Sequence, residues 1–533
     1  MHPEGPDNPK PSRAPMKDND QTPPPRSLAG STVSSTAWTI SSRLGVQVIS
    51  LIAMAFLARL LDPSDFGLIA MVLTVTGLLD TVSSLGLSAA AIQRKDLTRD
   101  QSNMLFWINA GLGVLFTIIT VALAPAMVWF YKRAELTTLA PVLALNFAVV
   151  GLSVQPRALL ARNLRFRAIS VIEFGGRIAS NIAAIVAAYA GWGLWALVVQ
   201  SLGYQVLVTA GFWIALPWWP GRFRRGSDVG DLLKFGANVV GVGAFNHLGR
   251  NFDKIVLGRT IGSEGLGYYS RAYQLLLYPI SAINAPLASV MLAALSRLQN
   301  DLPRLRAAYT RVMQAVVAIT FPAVTMMAAL REELILTAYG EKWIPAIPIF
   351  GILALAGCVQ PLGNSTGWLF MATGNPGRQL RWGLVMVPLQ SIAVLIGARW
   401  GALGVAVAYA SVTILLAWPA AWYSYSTVDM RVWDVWRKFV PQFIAALGAG
   451  GVAALTREVL IARATLPHWS RLIIGSITGS AGYIILLSML WRGWTKEVRS
   501  IIDLIMKRSN LEQVRSHHSS SRSQERPEQR SED

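Results

Sequence analysis

Fourteen long apolar runs separated by short polar connections dominate the sequence: 35–60, 66–90, 103–130, 137–158, 168–190, 192–216, 232–251, 267–294, 307–330, 344–371, 379–398, 401–425, 438–457 and 470–491. About 20 apolar residues in a helix match the hydrocarbon thickness of a bilayer. Lipid offers no water to an unpaired backbone, so each run must close its own hydrogen bonds as a helix or join a closed barrel. Strand-type alternation is not sustained in any of the runs, which favours helices. Only 14% of the residues are charged and 53% are hydrophobic, whereas a water-facing domain carries about 25% charged residues. The expected fold is an all-α, polytopic membrane protein of about 14 transmembrane helices.

The flanks read differently. Residues 1–31 hold eight prolines among charged and small polar residues, a composition that cannot bury enough apolar area to fold, so a disordered tail is expected there. The run that follows is a full span without an evident small-residue cleavage site and is expected to stay as an anchor. Beyond the last run, Val498, Ile501, Ile502 and Ile505 repeat at helical spacing opposite Arg499, Asp503 and Lys507, the pattern of a short helix lying on the membrane surface. A polar tail follows to Asp533.

Basic residues alternate in density between the two sides of this map. Arg94, Lys95 and Arg99, then Arg157, Arg162, Arg165 and Arg167, then Arg222, Arg224, Arg225 and Lys234 fall on the side of the tails, while the connection around Gly191 carries none. Positive loops stay cytoplasmic, so both termini are expected there. The net charge of +19 is then mainly a topology signal, and no nucleic-acid partner is expected, because the cations do not cluster on a soluble face.

An internal repeat accompanies the map. Leu57-Ala-Arg59-Leu-Leu-Asp-Pro-Ser-Asp-Phe-Gly67 follows the first run, and Leu257-Gly-Arg259-Thr-Ile-Gly-Ser-Glu-Gly-Leu-Gly267 follows the seventh, 200 residues later. Six spans lie between the copies, which therefore point the same way. Two parallel-repeat six-helix bundles with a cleft between them are expected. The corresponding division is a tail at 1–31, an N-terminal bundle at 32–216, a C-terminal bundle at 217–430, two additional helices at 431–495, and an interfacial helix with a second tail at 496–533.

Several classes of chemistry lack their residues. No glycine-rich phosphate loop followed by Lys and Ser/Thr exists, so nucleotide-driven transport within this chain is not expected. Cys358 is the only cysteine and the five histidines form no ligand spacing in the spans, so no metal and no cofactor is expected. The connections are short, whereas a membrane polymerase or ligase would carry a sizeable loop with acidic or His groups. A secondary transporter or a passive structural membrane protein, and not an enzyme, is the reading that remains.

Ionisable side chains inside hydrocarbon are costly, so each is a candidate for function. In the first run Arg43, Gln47 and Ser50 share one helix face. Asp80 in the second run lies at similar depth to Arg43, and an Arg43–Asp80 ion pair is the structural alternative. Glu173 and Arg177 stand at i, i+4 in the fifth run, where mutual neutralisation is the plain expectation; Asp80 or Glu173 titrating with a coupling ion is the other. Asn246, Arg250 and Asp253 share a face of the seventh run, and Arg271, Gln274 and Tyr278 share one of the eighth. Arg311 and Gln314 open the ninth. Arginine exceeds carboxylate in this set, and planar guanidinium groups suit phosphate or carboxylate, so an anionic cargo is favoured over a cationic one.

The opening Trp38 with Arg43, the Leu57–Gly67 turn, Gln93, the run Arg157-Ala-Leu-Leu-Ala-Arg162-Asn-Leu-Arg-Phe166-Arg167, Gly193-Leu-Trp195 and Gly265-Leu-Gly-Tyr-Tyr269-Ser-Arg271 occur in an order that resembles the Wzx-type polysaccharide flippases. The resemblance covers about residues 33–495 and is strongest to the exopolysaccharide branch, similar to the colanic acid and succinoglycan exporters of the multidrug/oligosaccharidyl-lipid/polysaccharide exporter superfamily. It implies a V-shaped pair of bundles with alternating access, in the bacterial inner membrane, that flips undecaprenyl-diphosphate-linked oligosaccharide repeat units from the cytoplasmic to the periplasmic leaflet. A polymerase and export proteins of the same pathway would be its partners. The resemblance places Arg43 at a basic substrate-binding position; helix geometry adds Gln47, Arg177, Arg250 and Arg271. A lipid II flippase and a MATE-type cation-coupled drug antiporter of the same superfamily are the alternatives.

Overall fold

Two residues, Leu61 and Asp62, suffice to turn the chain between its first two helices, α1 (Gly45–Leu60) and α2 (Pro63–Leu85). Pro63 takes the first helical position, where no backbone donor is needed, and the Asp62 N–H donates to the Asp65 carboxylate at 3.3 Å, so the start of α2 is capped from within. The computed structural model describes residues 45–85, 98–222, 247, 249–463 and 466–491. The expected tails, the surface helix near Val498 and the first part of the seventh run lie outside the described residues.

Further along come α3 (Arg99–Tyr131), α4 (Leu136–Arg162), α5 (Phe166–Tyr189), α6 (Leu194–Ala215), α7 (249–260), α8 (Gly262–Arg297), α9 (Leu302–Ala329), α10 (Arg331–Ala338), α11 (Ala346–Ala372), α12 (Pro376–Gly397), α13 (Gly401–Tyr425), α14 (Val432–Trp436), α15 (Val440–Arg463) and α16 (His468–Leu490). No strand occurs among the described residues. Nine helical stretches among them are long and apolar enough to cross a membrane, the one at Pro376–Val428 containing both α12 and α13; α1 and the apolar part of α2 are shorter. The all-α membrane fold is thus as expected. The seventh helix runs past its expected end to 260, and α8, at about 1.5 Å per residue, is longer than a bilayer core is thick. The short helices α10 and α14 fill connections that apolar runs alone do not mark.

The packing is organised by ends. At the end bearing the α1–α2, α3–α4, α5–α6, α7–α8 and α12–α13 turns, one continuous apolar core joins residues of α1 through α13, from Leu57, Phe66 and Met71 through Leu139 and Ala196 to Leu266, Trp343, Phe350 and Val405. At the other end the buried residues fall into separate clusters. One joins Leu160, Ile169, Val208 and Phe212 of α4–α6, a small one joins Leu105 to Ala158, and one joins Leu295, Tyr309, Leu369, Tyr425 and Ala446 of α8–α15. Among the described residues none of these bridges the first 222 residues to the later ones.

At the fused end α2 crosses α8, and the crossing has the offset of the sequence repeat. A Cβ on Gly67 would lie 1.7 Å from the Ser263 carbonyl oxygen, and one on Gly267 would lie 1.9 Å from that of Pro63. Adding 200 to Gly67 and subtracting 200 from Ser263 gives the second pair, so the contact is a local two-fold. At the neighbouring turns the positions related by 200 also face the other set of helices, through partners that the offset does not relate. The Trp343 indole donates to the Ala58 carbonyl at 2.8 Å, while at Gly258 it is the Tyr131 ring that a Cβ would meet, at 2.7 Å. Arg59 donates to the Thr337 carbonyl, and Arg259 lies over Phe130.

The last helices are fastened to α9 and α10. Thr325 donates to the Ala446 carbonyl at 2.9 Å and Tyr483 to that of Ala318 at 2.7 Å. Arg457 reaches Glu332, Glu333 and Glu458 together, with Glu333 wholly buried.

Because the Gly67 and Gly267 contacts meet backbone, they have no flexible side chain to displace. Gly67→Val and Gly267→Val should each cost at least the overpacking penalty of about 1–3 kcal/mol, read as a lower heat-denaturation midpoint in detergent. Gly377→Ala on α12, where a Cβ meets nothing within 4 Å, should leave that midpoint unchanged.

Candidate substrate-binding site

Helix α8 carries its polar stripe against α1. The Gln47 amide donates to the Tyr278 carbonyl at 2.8 Å and lies 3.4 Å from the Ser281 hydroxyl. Arg271 donates to Gln274 at 2.7 Å, and Gln274 in turn reaches the Tyr278 hydroxyl at 3.5 Å. The Arg271 guanidinium lies 4.3 Å from the centre of the Phe66 ring and 3.5 Å from the Met54 sulfur. The expected i, i+3, i+7 stripe therefore forms one connected surface, completed by Gln47 from across the seam.

Arg177 approaches from α5. Its guanidinium lies 3.7 Å from the centre of the Tyr204 ring on α6, close enough for a cation–π attraction that strengthens as water is removed. Gln47 and, through Gln274, Arg271 thus meet at Tyr278, while Arg177 rests on an aromatic face of its own. No carboxylate of the described residues lies within ion-pair distance of either arginine, and each has a buried Nε without a hydrogen-bond partner. Two cations set on aromatic faces, with donors unused, are arranged to receive an anion.

The expected neutralisation of Arg177 by Glu173 does not occur. Glu173 pairs instead with Arg157 of α4, at 3.0 Å. Helix spacing places residues 173 and 177 on one face, but the neighbouring helix offers Glu173 a guanidinium first, and the Tyr204 face takes Arg177. Arg250 stands apart from the Tyr278 group, lining a separate cleft with Asp253 and Tyr273. Asp253 is bound by the Tyr269 hydroxyl at 2.7 Å and by the backbone N–H of Lys254. Arg43 and Asn246 lie outside the described residues, as does the Asp80 side chain, so the Arg43–Asp80 pair does too.

Tyr204, Phe66 and Met54 are site residues that sequence reasoning missed. In a span, an aromatic or thioether side chain looks like lipid-facing filler; for Tyr204 the flanking Gln200 and Gln205 were the available signal. Those glutamines complete a polar seam inside the first helices, Gln200 donating to Asn181 at 2.9 Å and Gln205 to Ser153 at 3.3 Å.

A profile of the family described as "Polysaccharide biosynthesis protein" matches residues 56–348, more than half of the chain. The chain belongs to the polysaccharide biosynthesis protein family. Similar curated proteins include the lipopolysaccharide biosynthesis protein WzxC of Escherichia coli, 27% identical over 80% of this chain and 88% of its own length. The teichuronic acid biosynthesis protein TuaB of Bacillus subtilis is 26% identical over 86% and 96%. The succinoglycan biosynthesis transport protein ExoT of Rhizobium meliloti is 23% identical over 88% and 95%. Among solved structures, the lipid II flippase MurJ in an inward closed conformation superposes with a TM-score of 0.68 at 14% identity, over 86% of this chain and 99% of that one. An inward-facing MATE family transporter of the MOP superfamily gives 0.60 at 15%, over 75% and 99%. This polysaccharide biosynthesis protein thus has the MOP-superfamily fold and is a multi-pass membrane protein.

The Arg157–Glu173 pair is half-exposed on the arginine side, where an ion pair is worth about 0–1 kcal/mol. Glu173→Gln should therefore leave both heat stability and polymer output within error of wild type, measured as surface polysaccharide in a deletion strain complemented with the variant. Loss of output with normal insertion would make Glu173 a coupling group.

Proposed function

We propose that this chain flips undecaprenyl-diphosphate-linked oligosaccharide repeat units from the cytoplasmic to the periplasmic leaflet of the bacterial inner membrane, for exopolysaccharide or lipopolysaccharide synthesis. The observation that carries the reading is the two guanidinium groups at Arg177 and Arg271, each set on an aromatic ring and without a carboxylate partner among the described residues. A diphosphate is the anion that a lipid-linked sugar brings, and fork-shaped guanidinium groups match its oxygens. Gln47 adds to the seat from α1, the resemblance assigns Arg43 a basic substrate-binding position, and Arg250 lines a separate cleft. The names of the relatives, which concern the synthesis or transport of surface polysaccharides, support the same cargo.

The transport cycle is alternating access between two six-helix halves, 32–216 and 217–430, with 431–495 as an added pair. Both termini are cytoplasmic, which puts the fused core on the periplasmic side and the divided cores on the cytoplasmic side. The described state then receives cargo from the cytoplasm. Opening the far side means parting α2 from α8, where the Lys342–Asp62 bridge at 2.7 Å is largely exposed and so holds weakly. Downstream, the product passes to the polymerase and export proteins of the pathway.

Arg177→Ala and Arg271→Ala should each cut surface polysaccharide at least about tenfold, the loss of one charge-assisted contact, while the lipid-linked repeat unit accumulates and the protein remains inserted. Unchanged output from both variants would sink the reading. Normal polymer with lysis on gene deletion would point to peptidoglycan precursors instead. Tags on both termini should be reached by a soluble probe only after the inner membrane is permeabilised.

A further inference from the structure

The cleft that holds Arg250 has a chemistry different from that of the arginine seat. It occupies about 330 Å³ between α7, α8, α11, α12 and α13, near the lower bound for a small-molecule site. Four amide side chains line it, Gln360, Asn364, Gln379 and Gln390, together with the Ser391 hydroxyl and the Trp382 ring. Asn364, Gln379 and Ser391 make no hydrogen bond within the described residues; Gln360 gives one to the Tyr273 hydroxyl at 3.1 Å and Gln390 a long one to Thr413 at 3.4 Å. Polar side chains in a span are costly unless matched, and this set far exceeds what two contacts consume.

The lining also discriminates between ligands. The walls expose more apolar than polar surface, as a drug-like amphiphile would want, but such a ligand would leave the four amides unmatched. A second anion would want a cation excess, but Arg250 is accompanied there by the buried Asp253. Each amide offers donors and an acceptor side by side, which suits the paired donor–acceptor hydroxyls of a sugar, and an indole face suits the apolar face of a sugar ring. The Trp382 ring is held in place by stacking on Tyr423, at 6.0 Å between centres.

We propose that this cleft is a saccharide subsite, which seats an uncharged sugar of the transported oligosaccharide through Gln360, Asn364, Gln379, Gln390 and Ser391, with Trp382 at its side. The proposal rests on the transport reading above. Tyr273 lines the cleft while Arg271 and Gln274, within one turn of α8, belong to the anion seat, so the two sites share one turn of the same helix. The cleft extends along α12 from Val394 to Gln379, toward the end where the cores are divided and cargo enters.

Two probes separate this subsite from the transport reading. One is the repeat-unit oligosaccharide that mild acid releases from the host's lipid-linked pool, and the other is undecaprenyl diphosphate bearing no sugar. Binding of each to the full chain in nanodiscs is measured by calorimetry for wild type, Gln379→Leu/Gln390→Leu and Asn364→Leu. The expected result is oligosaccharide binding that weakens at least about tenfold in the double variant, as two lost hydrogen bonds imply, while undecaprenyl diphosphate binds all three proteins alike and so certifies their folding. Oligosaccharide binding unchanged in both variants overturns the subsite, as does a wild type that binds undecaprenyl diphosphate but not the oligosaccharide; the transport reading survives either. A wild type that binds neither probe overturns both.

Discussion

Everything at the closed end depends on how near α2 and α8 can come. Two glycines set that distance, because each helix presents a position without a side chain to a carbonyl of the other. The gain is not hydrophobic in the ordinary sense, since lipid tails are as apolar as the side chains they replace; small residues let dispersion and backbone contact do the joining. Around this crossing the terminal turns of both sets of helices interlock, the Trp343 indole on Ala58 and Tyr131 against Gly258. The opposite end has no such crossing among the described residues, and its cores stay apart.

The ion pairs divide by the same logic. Arg457 sits in a fork of three carboxylates, one of them wholly buried, and breaking such a pair strands a charge. That network fastens α15 to α10 durably. The Lys342–Asp62 bridge at the crossing is exposed on both sides, so its loss costs little. The joints meant to stay shut and those able to open are thus built from the same residue types at different depths.

The helices were legible in the sequence because the bilayer imposes a length and an apolar content on each, and the expected runs that lie wholly among the described residues have centres within a few residues of the observed helices. The repeat was legible as spacing, although Gly67 and Gly267 looked like turn residues and act as contact points one turn into their helices. The short α10 and α14 were not legible, being too brief and too mixed to leave a period. The site was legible in part. Gln47, Arg177 and Arg271 were marked by their cost in hydrocarbon; Gln47 and Arg271 share the Tyr278 surface, and Arg177 lies on Tyr204. Their aromatic supports were invisible, since Phe66 and Tyr204 have the look of ordinary span residues. The partner of Glu173 was misread because helix spacing ranks only neighbours on one helix, and Arg157 comes from another.

Phe66 precedes Gly67, and this adjacency links the anion seat to the crossing. The Phe66 ring carries Arg271 on its face and meets the Trp343 ring edge-on at 5.5 Å. Met54 accepts a contact from Arg271 and another from the Tyr339 hydroxyl, and Tyr339 packs on Trp343 at 5.2 Å. Arg271 is therefore part of the packing that keeps α2 and α8 together. A ligand shifts such an equilibrium only by the difference between its affinities for the two states. On the proposed function, a diphosphate that drew the guanidinium toward Arg177 would forgo the cation–π contact on Phe66, worth about 0.5–2 kcal/mol, and so loosen the crossing by the same amount. Binding at the seat and opening at the far end would then share one side chain, with no longer pathway through the bundle needed to connect them.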